Sequence, residues 1–131
     1  MTKLYFSMSE LIHSDTALLH NINNMPDINS LDNMLDLIFY VLQPIRERIQ
    51  KPMIITSGYR CKKVNRLVGG KETSQHLKGQ AVDFIIKGMK SEKIIEEIIK
   101  SKIVFDQLID EKDWVHISFN KKKNRKMVIK K

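Results

Sequence analysis

The sequence predicts an α+β fold, with one domain built on a mainly antiparallel sheet flanked by helices. Its 131 residues match the usual size of a single domain, and 42% of them are hydrophobic, which is enough for one core. Helical and strand periodicities both occur, without the regular alternation of strand and helix that a parallel sheet requires. Cys61 is the only cysteine, so the fold depends on packing rather than on an internal disulfide or a cysteine cluster.

Helices are predicted for the N-terminal third. Ser7 and Glu10 have the spacing of a capping box ahead of a short helix, and Ser14 is placed to begin a second one. From Ser30, which can cap it, a longer helix is indicated by apolar residues that recur at intervals of three and four. Pro44 lies inside this pattern and predicts either a kink or an earlier helix end.

The middle of the chain mixes both element types. Residues 53–56 are predicted to form a short buried strand, and residues 61–68 a helix that ends at Gly69. The side chains expected to face inward from this helix are Val64, Leu67 and Val68. Residues 80–87 alternate in the manner of a strand, so a loop must connect this strand to the helix.

The C-terminal half is predicted to hold one helix and two further strands. Ser91 is expected to cap a helix that ends near residue 101 and packs isoleucines on the sheet. Residues 103–109 and 114–119 are predicted as strands, joined by the polar turn 110–113.

The net charge of +8 is concentrated at the C-terminus. Residues 121–131 contain seven lysines and arginines and no acidic residue, so the rest of the chain carries only about +1. Because the predicted domain has no basic face, nucleic-acid binding by the fold itself is not expected. We therefore divide the chain into a domain of residues 1–120 and a basic tail of residues 121–131, which either contacts a polyanion or is a solvated terminus.

A candidate metal site is indicated by three residues. His76 and Asp83 are seven positions apart, with Gly79 in the bend between them, so a loop running into a strand can point both side chains at one cation. His116 is a polar residue within an apolar strand, where an imidazole needs a partner, and it is the obvious third ligand. Two histidines and one aspartate leave a fourth tetrahedral position for water, which is typical of a catalytic zinc.

Hydrolysis at such a site needs a carboxylate that accepts a proton from water. Asp113, three residues before His116, is the nearest candidate. Their odd separation would place the two side chains on opposite faces of a regular strand, so a bulge or a turn must correct the geometry. Glu111 and Asp110 therefore remain alternatives for the general base.

Four motifs occur along the chain in the order of a known family. They are Ser57–Arg60, the Ser-x-His-x-x-Gly-x-Ala-x-Asp run of Ser74–Asp83, Phe105–Ile109 and Trp114–Ser118. Together they resemble the zinc D-Ala-D-Ala carboxypeptidases and the related phage endolysin peptidases. The resemblance extends from the first predicted helix to residue 119, which is nearly the whole chain.

This resemblance implies a D,D-peptidase/Hedgehog-type fold, a Zn²⁺ cofactor and a peptidoglycan stem peptide as substrate. It assigns zinc coordination to His76, Asp83 and His116, and general-base catalysis to Asp113. Residues 1–120 would then form a zinc peptidase domain.

The substrate-binding residues are also implied by the resemblance. Arg60 would stabilise the developing oxyanion or hold the substrate carbonyl, a role that suits its fixed charge and planar guanidinium. Ser74 would donate a hydrogen bond in the substrate pocket, and Trp114 would form part of the pocket wall.

The implied function is hydrolysis of an amide bond in bacterial cell-wall peptides, by removal of a terminal D-Ala or by cleavage within the stem or cross-bridge. One alternative is a non-catalytic cell-wall-binding or virion structural module that retains the fold, and another is nucleic-acid binding through the tail. The N-terminus lacks the pattern of a secretory signal, and no stretch resembles a membrane span. We therefore expect a monomer that is made in the cytoplasm and acts on the wall after phage-mediated release or as a virion component.

Overall fold

The computed structural model describes residues 3–131; Met1 and Thr2, which begin the stretch considered as a secretory signal, lie outside the described residues. The α-helices are α1 (Met8–Ile12), α2 (Asp15–Leu19), α3 (Ile28–Leu37), α4 (Gln43–Ile49), α5 (Lys62–Leu67) and α6 (Ser91–Ser101). The strands are β1 (Ile54–Ser57), β2 (Ala81–Ile85), β3 (Gln107–Asp110), β4 (Val115–Ser118) and β5 (Met127–Lys130). The predicted α+β class is confirmed. No helix within residues 3–131 combines the length and apolar character needed to cross a membrane.

The five strands form one sheet in the order β1-β2-β4-β3-β5. The pairings β1–β2, β2–β4 and β3–β4 are antiparallel, and only the β3–β5 pairing is parallel. The prediction of a mainly antiparallel sheet is therefore confirmed. The fifth strand was not expected, because it comes from residues 121–131, which the sequence suggested to be a basic tail. Part of that segment belongs to the sheet and is not a free solvated terminus.

The apolar core lies on one face of the sheet, beneath α3, α4 and α6. It is formed from the strands by alternate side chains, namely Val82, Phe84, Leu108, Val115 and Ile117. The intervening residues of β2, β3 and β4 therefore point to the opposite face of the sheet. That opposite face carries the polar residues described below.

The short N-terminal helices begin where the sequence predicts. The Ser7 hydroxyl accepts a hydrogen bond from the Glu10 backbone N–H, and the Glu10 side chain accepts one from the Ser7 N–H, which completes the capping box. The Ser14 hydroxyl accepts a hydrogen bond from the Ala17 N–H at 3.1 Å and so caps α2.

Helix α3 begins earlier than predicted. Asp27, and not Ser30, is its N-cap, since the Asp27 carboxylate accepts a hydrogen bond from the Ser30 N–H at 2.7 Å. A carboxylate at this position also interacts favourably with the helix dipole, whereas Ser30 becomes a buried residue of the first turn.

Pro44 changes the hydrogen-bonding pattern of the long helix without ending it. A π-helical turn, Ile38–Leu42, separates α3 from α4, and the Gln43 N–H donates to the carbonyl of Ile38, five residues earlier. Proline lacks an N–H and its ring disturbs the preceding turn, so the wider turn accommodates the residue while the helix continues to Ile49.

Two predicted burial patterns in the middle of the chain are wrong. Strand β1 is an edge strand that pairs only with β2, so it is not fully buried, and Ile54 remains 38% exposed. In α5, only Val64 of the three predicted residues faces the core, while Leu67 and Val68 are about half exposed. This helix has only six residues, so its apolar positions cannot all reach the core.

The start of α6 also differs from the prediction. Lys90 occupies the N-cap position and Ser91 is the first helical residue. The Ser91 hydroxyl donates to the carboxylate of Asp110 at 2.6 Å, so it connects α6 to the end of β3. Ile99, which was expected to pack on the sheet, is 49% exposed at the end of the helix.

Candidate metal centre

The structure brings His76, Asp83 and His116 together. One potential ligand atom from each residue lies within 4.8 Å of the others. Asp83 Oδ1 is 2.9 Å from His116 Nδ1 and 3.4 Å from His76 Nε2. All three side chains are largely buried, so they form a compact group of nitrogen and oxygen donors.

Strand pairing positions two members of this group. Asp83 on β2 and His116 on β4 are directly opposite each other in the antiparallel ladder, and their side chains therefore share one face. This face lies opposite the apolar core, because the neighbouring Val82 and Phe84 point into it. The alternation predicted for residues 80–87 thus explains why a carboxylate and an imidazole meet here.

The third member comes from a tight turn. His76 lies in the 3₁₀ turn Gln75–Lys78, which ends at Gly79 with φ of 70°. A side chain at Gly79 would strain the backbone and would place its Cβ 2.5 Å from the Ser30 carbonyl oxygen. Glycine therefore allows the chain to turn from His76 back into β2 while remaining against α3.

A backbone hydrogen bond orients the His76 ring. Nδ1 lies 2.7 Å from the Gly58 carbonyl oxygen, which accepts a hydrogen bond from it. With the proton on Nδ1, the lone pair of Nε2 is directed towards Asp83. Histidines that bind metals usually have such a hydrogen bond on the second nitrogen, so this arrangement suits a metal ligand.

Asp83 supplies a negative charge to the group. Burial alone would raise its pKa, but the contacts with His116 and His76 outweigh that effect and hold the pKa well below its ordinary value. The carboxylate is therefore ionised in a site with little solvent. An ionised carboxylate with two imidazoles is a donor set that zinc accepts.

Arg60 lies beside Asp83, with 3.7 Å between its nearest guanidinium nitrogen and Asp83 Oδ2. Its Nε donates to the Ser57 hydroxyl at 3.2 Å, and another nitrogen donates to the Asn65 side-chain oxygen at 3.0 Å. Burial lowers the pKa of Arg60 while the Asp83 charge raises it, and an arginine remains a cation under these conditions. The structure thus fixes a positive charge at the edge of the candidate metal centre.

An open cleft of about 660 Å³ adjoins the three residues. Ser74 and Trp114, both predicted to contact substrate, line it together with Arg60. The Ser74 hydroxyl accepts a hydrogen bond from the His76 N–H at 3.2 Å, and the Trp114 side chain is partly exposed. All the predicted substrate-binding residues therefore border the same cleft as the metal group.

Asp113, the favoured candidate for the general base, is not among the residues that line this cleft. It is exposed and borders a different cavity, together with Ser91 and Asp110. Asp110 also points away, since its carboxylate accepts hydrogen bonds from the Ser91 hydroxyl and the Lys112 N–H. The turn does not reverse the strand alternation that separates Asp113 from His116.

Glu111, the alternative candidate, does line the cleft. Ile109 pairs directly with His116, and Glu111 follows two residues later on the same face of the sheet. Its carboxylate forms an ion pair with Lys131, with Glu111 Oε1 and Lys131 Nζ 3.0 Å apart. The carboxylate that the structure brings to the metal-centre cleft is therefore that of Glu111.

The interactions of Asp106 were not foreseen from the sequence. Its buried carboxylate accepts two side-chain hydrogen bonds from Arg125, at 2.8 and 2.9 Å, and one from Gln75 at 2.9 Å. Asp106 therefore connects the turn that holds His76 with the segment that leads into β5. The apolar run Met127–Ile129 was the available signal for this strand, but the surrounding positive charges suggested a tail.

Comparison with known protein families agrees with this geometry. The family described as Peptidase M15 matches residues 4–118, a range that contains the metal group and Glu111. No curated protein matches the chain significantly. The family comprises zinc-dependent peptidases that act on peptidoglycan. The donors that a zinc ion needs are offered by the group of His76, Asp83 and His116. Since the match covers most of the sequence, the chain belongs to the peptidase M15 family.

Proposed function

We propose that this protein is a zinc-dependent peptidase that hydrolyses an amide bond in peptidoglycan peptides, by removing a terminal D-Ala or by cutting within the stem or cross-bridge. The main support is the convergence of His76, Asp83 and His116 beside an open cleft that also contains Glu111. Family membership supports the same class of reaction.

His76, Asp83 and His116 would hold the zinc ion. Zinc bound by two imidazoles and a carboxylate keeps a position for water, lowers the pKa of that water and polarises a carbonyl. The hydrogen bond from His76 to the Gly58 carbonyl fixes one imidazole in the required orientation. Asp83 contributes the negative charge that a divalent cation favours.

Glu111 is the proposed general base. A carboxylate in this position can accept a proton from the attacking water and deliver it to the leaving amine. Its side chain is only 16% exposed, so little solvent competes for the proton. Asp113 is unsuited to this role because it borders a different cavity.

Arg60, Ser74 and Trp114 are proposed to position the substrate. The Arg60 charge would stabilise the oxyanion that develops on the substrate carbonyl. The Ser74 oxygen accepts the His76 N–H, which leaves its hydroxyl hydrogen free to donate to the peptide. Trp114 supplies an apolar wall beside these polar groups.

The charge of the cleft supports an anionic peptide as substrate. Besides Arg60, the exposed Lys71 borders it, and the two other basic residues of the cleft are paired with carboxylates. Stem peptides carry free carboxylates, which such an environment would attract. The proposed substrate class therefore agrees with the electrostatics as well as with the family.

The test combines metal analysis with digestion of purified peptidoglycan. We expect one zinc ion per chain, release of D-Ala or of new amines, and loss of activity on chelation with recovery after zinc is restored. Absence of both zinc and product release from every wall type would overturn the proposal. Zinc binding together with wall binding but no hydrolysis would instead indicate a non-catalytic cell-wall module.

A further inference from the structure

Strand β5 contributes residues to the cleft that lie outside the range matched by the family, because that range ends at residue 118. In its parallel pairing with β3, Ile129 is the partner of Ile109. Since Ile109 also pairs with His116, the alternation of side chains places Ile129 and Lys131 on the face that carries the metal centre. Both residues line the cleft.

Contacts at both ends hold β5 against β3. At its start, the buried Asp106 carboxylate accepts hydrogen bonds from the Arg125 backbone and guanidinium, and the Asp106 carbonyl accepts one from the Met127 N–H at 2.8 Å. At its end, the Lys131 N–H donates to the Asp110 carbonyl at 3.0 Å. The backbone that carries Lys131 is therefore fixed beside the end of β3.

The Lys131 ammonium contacts the proposed base. The 3.0 Å ion pair is made with Glu111 Oε1, whereas the Glu111 backbone is held separately by a hydrogen bond from its N–H to the Trp114 carbonyl. The backbone contact does not restrict the three rotatable bonds of the glutamate side chain. The ion pair does restrict them, and it leaves Oε2 to take part in proton transfer.

We propose that Lys131 is a positioning residue for the base and that β5 is the element that delivers it. This inference rests on the proposed function, because it gives Glu111 its catalytic role. A displacement of about 1 Å in a reacting group can reduce the rate by about 100-fold. An ion pair that selects one orientation of Glu111 therefore acts on kcat and leaves zinc and substrate binding unchanged.

The first test compares three single variants of the full-length, zinc-loaded protein. Lys131→Met should lower kcat by about 10- to 100-fold, with zinc content and KM unchanged. Lys131→Arg should retain most of the activity because it preserves the cation. Lys130→Met is the matched control: it removes the same charge from the neighbouring position of β5, whose side chain points to the other face of the sheet, and it should behave as wild type.

A double variant separates positioning from substrate binding. If Lys131 acts through Glu111, Lys131→Met should cause no further loss in the Glu111→Gln background, as measured with high enzyme concentrations. A raised KM, or an equal loss in both backgrounds, would mean that Lys131 contacts the substrate directly and would overturn the inference.

A second measurement detects the ion pair without an activity assay. Reductive methylation read by peptide mass spectrometry should modify Lys131 more slowly than Lys130 in the wild type, and Glu111→Gln should remove this protection. Equal rates for the two lysines would contradict the ion pair.

The outcomes also separate the two proposals. An active wild type whose rate is unaffected by Lys131→Met overturns the positioning role alone, whereas absence of hydrolysis and of zinc from the wild type removes both.

Discussion

The two sides of the cleft are constructed differently. On the β2–β4 side, the side chains of His76, Asp83 and His116 are at most 13% exposed and are fixed by strand pairing and a backbone hydrogen bond. On the β3–β5 side, Glu111 is held by Lys131, which is 60% exposed and follows an edge strand. Buried polar contacts resist rearrangement, whereas a partly exposed ion pair contributes less and is weakened by salt. Loss of a ligand on the metal side should therefore abolish activity completely, whereas loss of the ion pair on the base side should only reduce it.

The largest expected effect is the loss of a proposed metal ligand. Asp83→Ala leaves two imidazoles, which do not hold zinc, so both the bound metal and hydrolysis should disappear. Mass-spectrometric metal analysis and amine release from peptidoglycan measure the two losses. His13→Ala is a suitable control, because that histidine is exposed, pairs with Asp15 and does not line the cleft. Zinc retained at full stoichiometry in Asp83→Ala would show that the ligand set is different.

The next effect distinguishes the two candidate bases. Glu111→Gln keeps the shape of the side chain but removes its capacity to accept a proton, so kcat should fall by about 100- to 10,000-fold while zinc is retained. Asp113→Asn is the matched control, and its activity should be close to that of the wild type because Asp113 borders another cavity. The reverse ranking of the two variants would return the base to Asp113.

A smaller effect is expected at Asp106, which connects the two sides. Arg125 hydrogen bonds lower the pKa of this carboxyl, although burial opposes them. Asp106→Asn replaces the charged acceptor of these buried hydrogen bonds with a neutral amide. We therefore expect the free energy of unfolding to fall by about 2 to 3 kcal/mol at pH 7. Urea denaturation measures this difference.

The pH dependence of the same variant follows from the direction of the pKa shift. Since the pKa of Asp106 is lower in the folded protein than in the unfolded chain, its stabilisation is present above the unfolded pKa and is lost as pH falls through the folded value. The difference between wild type and Asp106→Asn should therefore be largest near neutral pH and should shrink below about pH 4. A difference that stays constant down to pH 2 would exclude this linkage.

The same contrast determines what the sequence could predict. The metal side depends on local features that the sequence displays: the alternation around Asp83 and His116, and glycine in the turn after His76. The spacing of these residues, together with the family motifs, was sufficient to bring them to one site.

The base side depends on pairing between segments distant in sequence. The β3–β4 register places Glu111 on the same face of the sheet as His116, and the β3–β5 register sets the position of Lys131. Neither register is visible in a single sequence, because it is set by the length and shape of the connecting turns. The sequence did indicate that Asp113 and His116 would lie on opposite faces of a regular strand. It could not show that the intervening turn leaves this difference in place.

The smallest expected effect concerns the dependence of zinc binding on the position of the turn that carries His76. Gly79 and Gly69 have similar positive φ values, 70° and 76°, but a Cβ at Gly79 would meet Ser30, whereas one at Gly69 would meet nothing within 4 Å. Replacement by alanine should cost about 1 kcal/mol of stability at Gly69 from backbone strain alone, and somewhat more at Gly79. Only Gly79→Ala should also weaken zinc binding, because relief of its steric conflict displaces the turn that holds His76. Competition with a chromogenic chelator measures this difference; equal zinc affinities in the two variants would mean that the metal side tolerates movement of its turn, and that burial of the ligands, not the placement of the turn, makes it rigid.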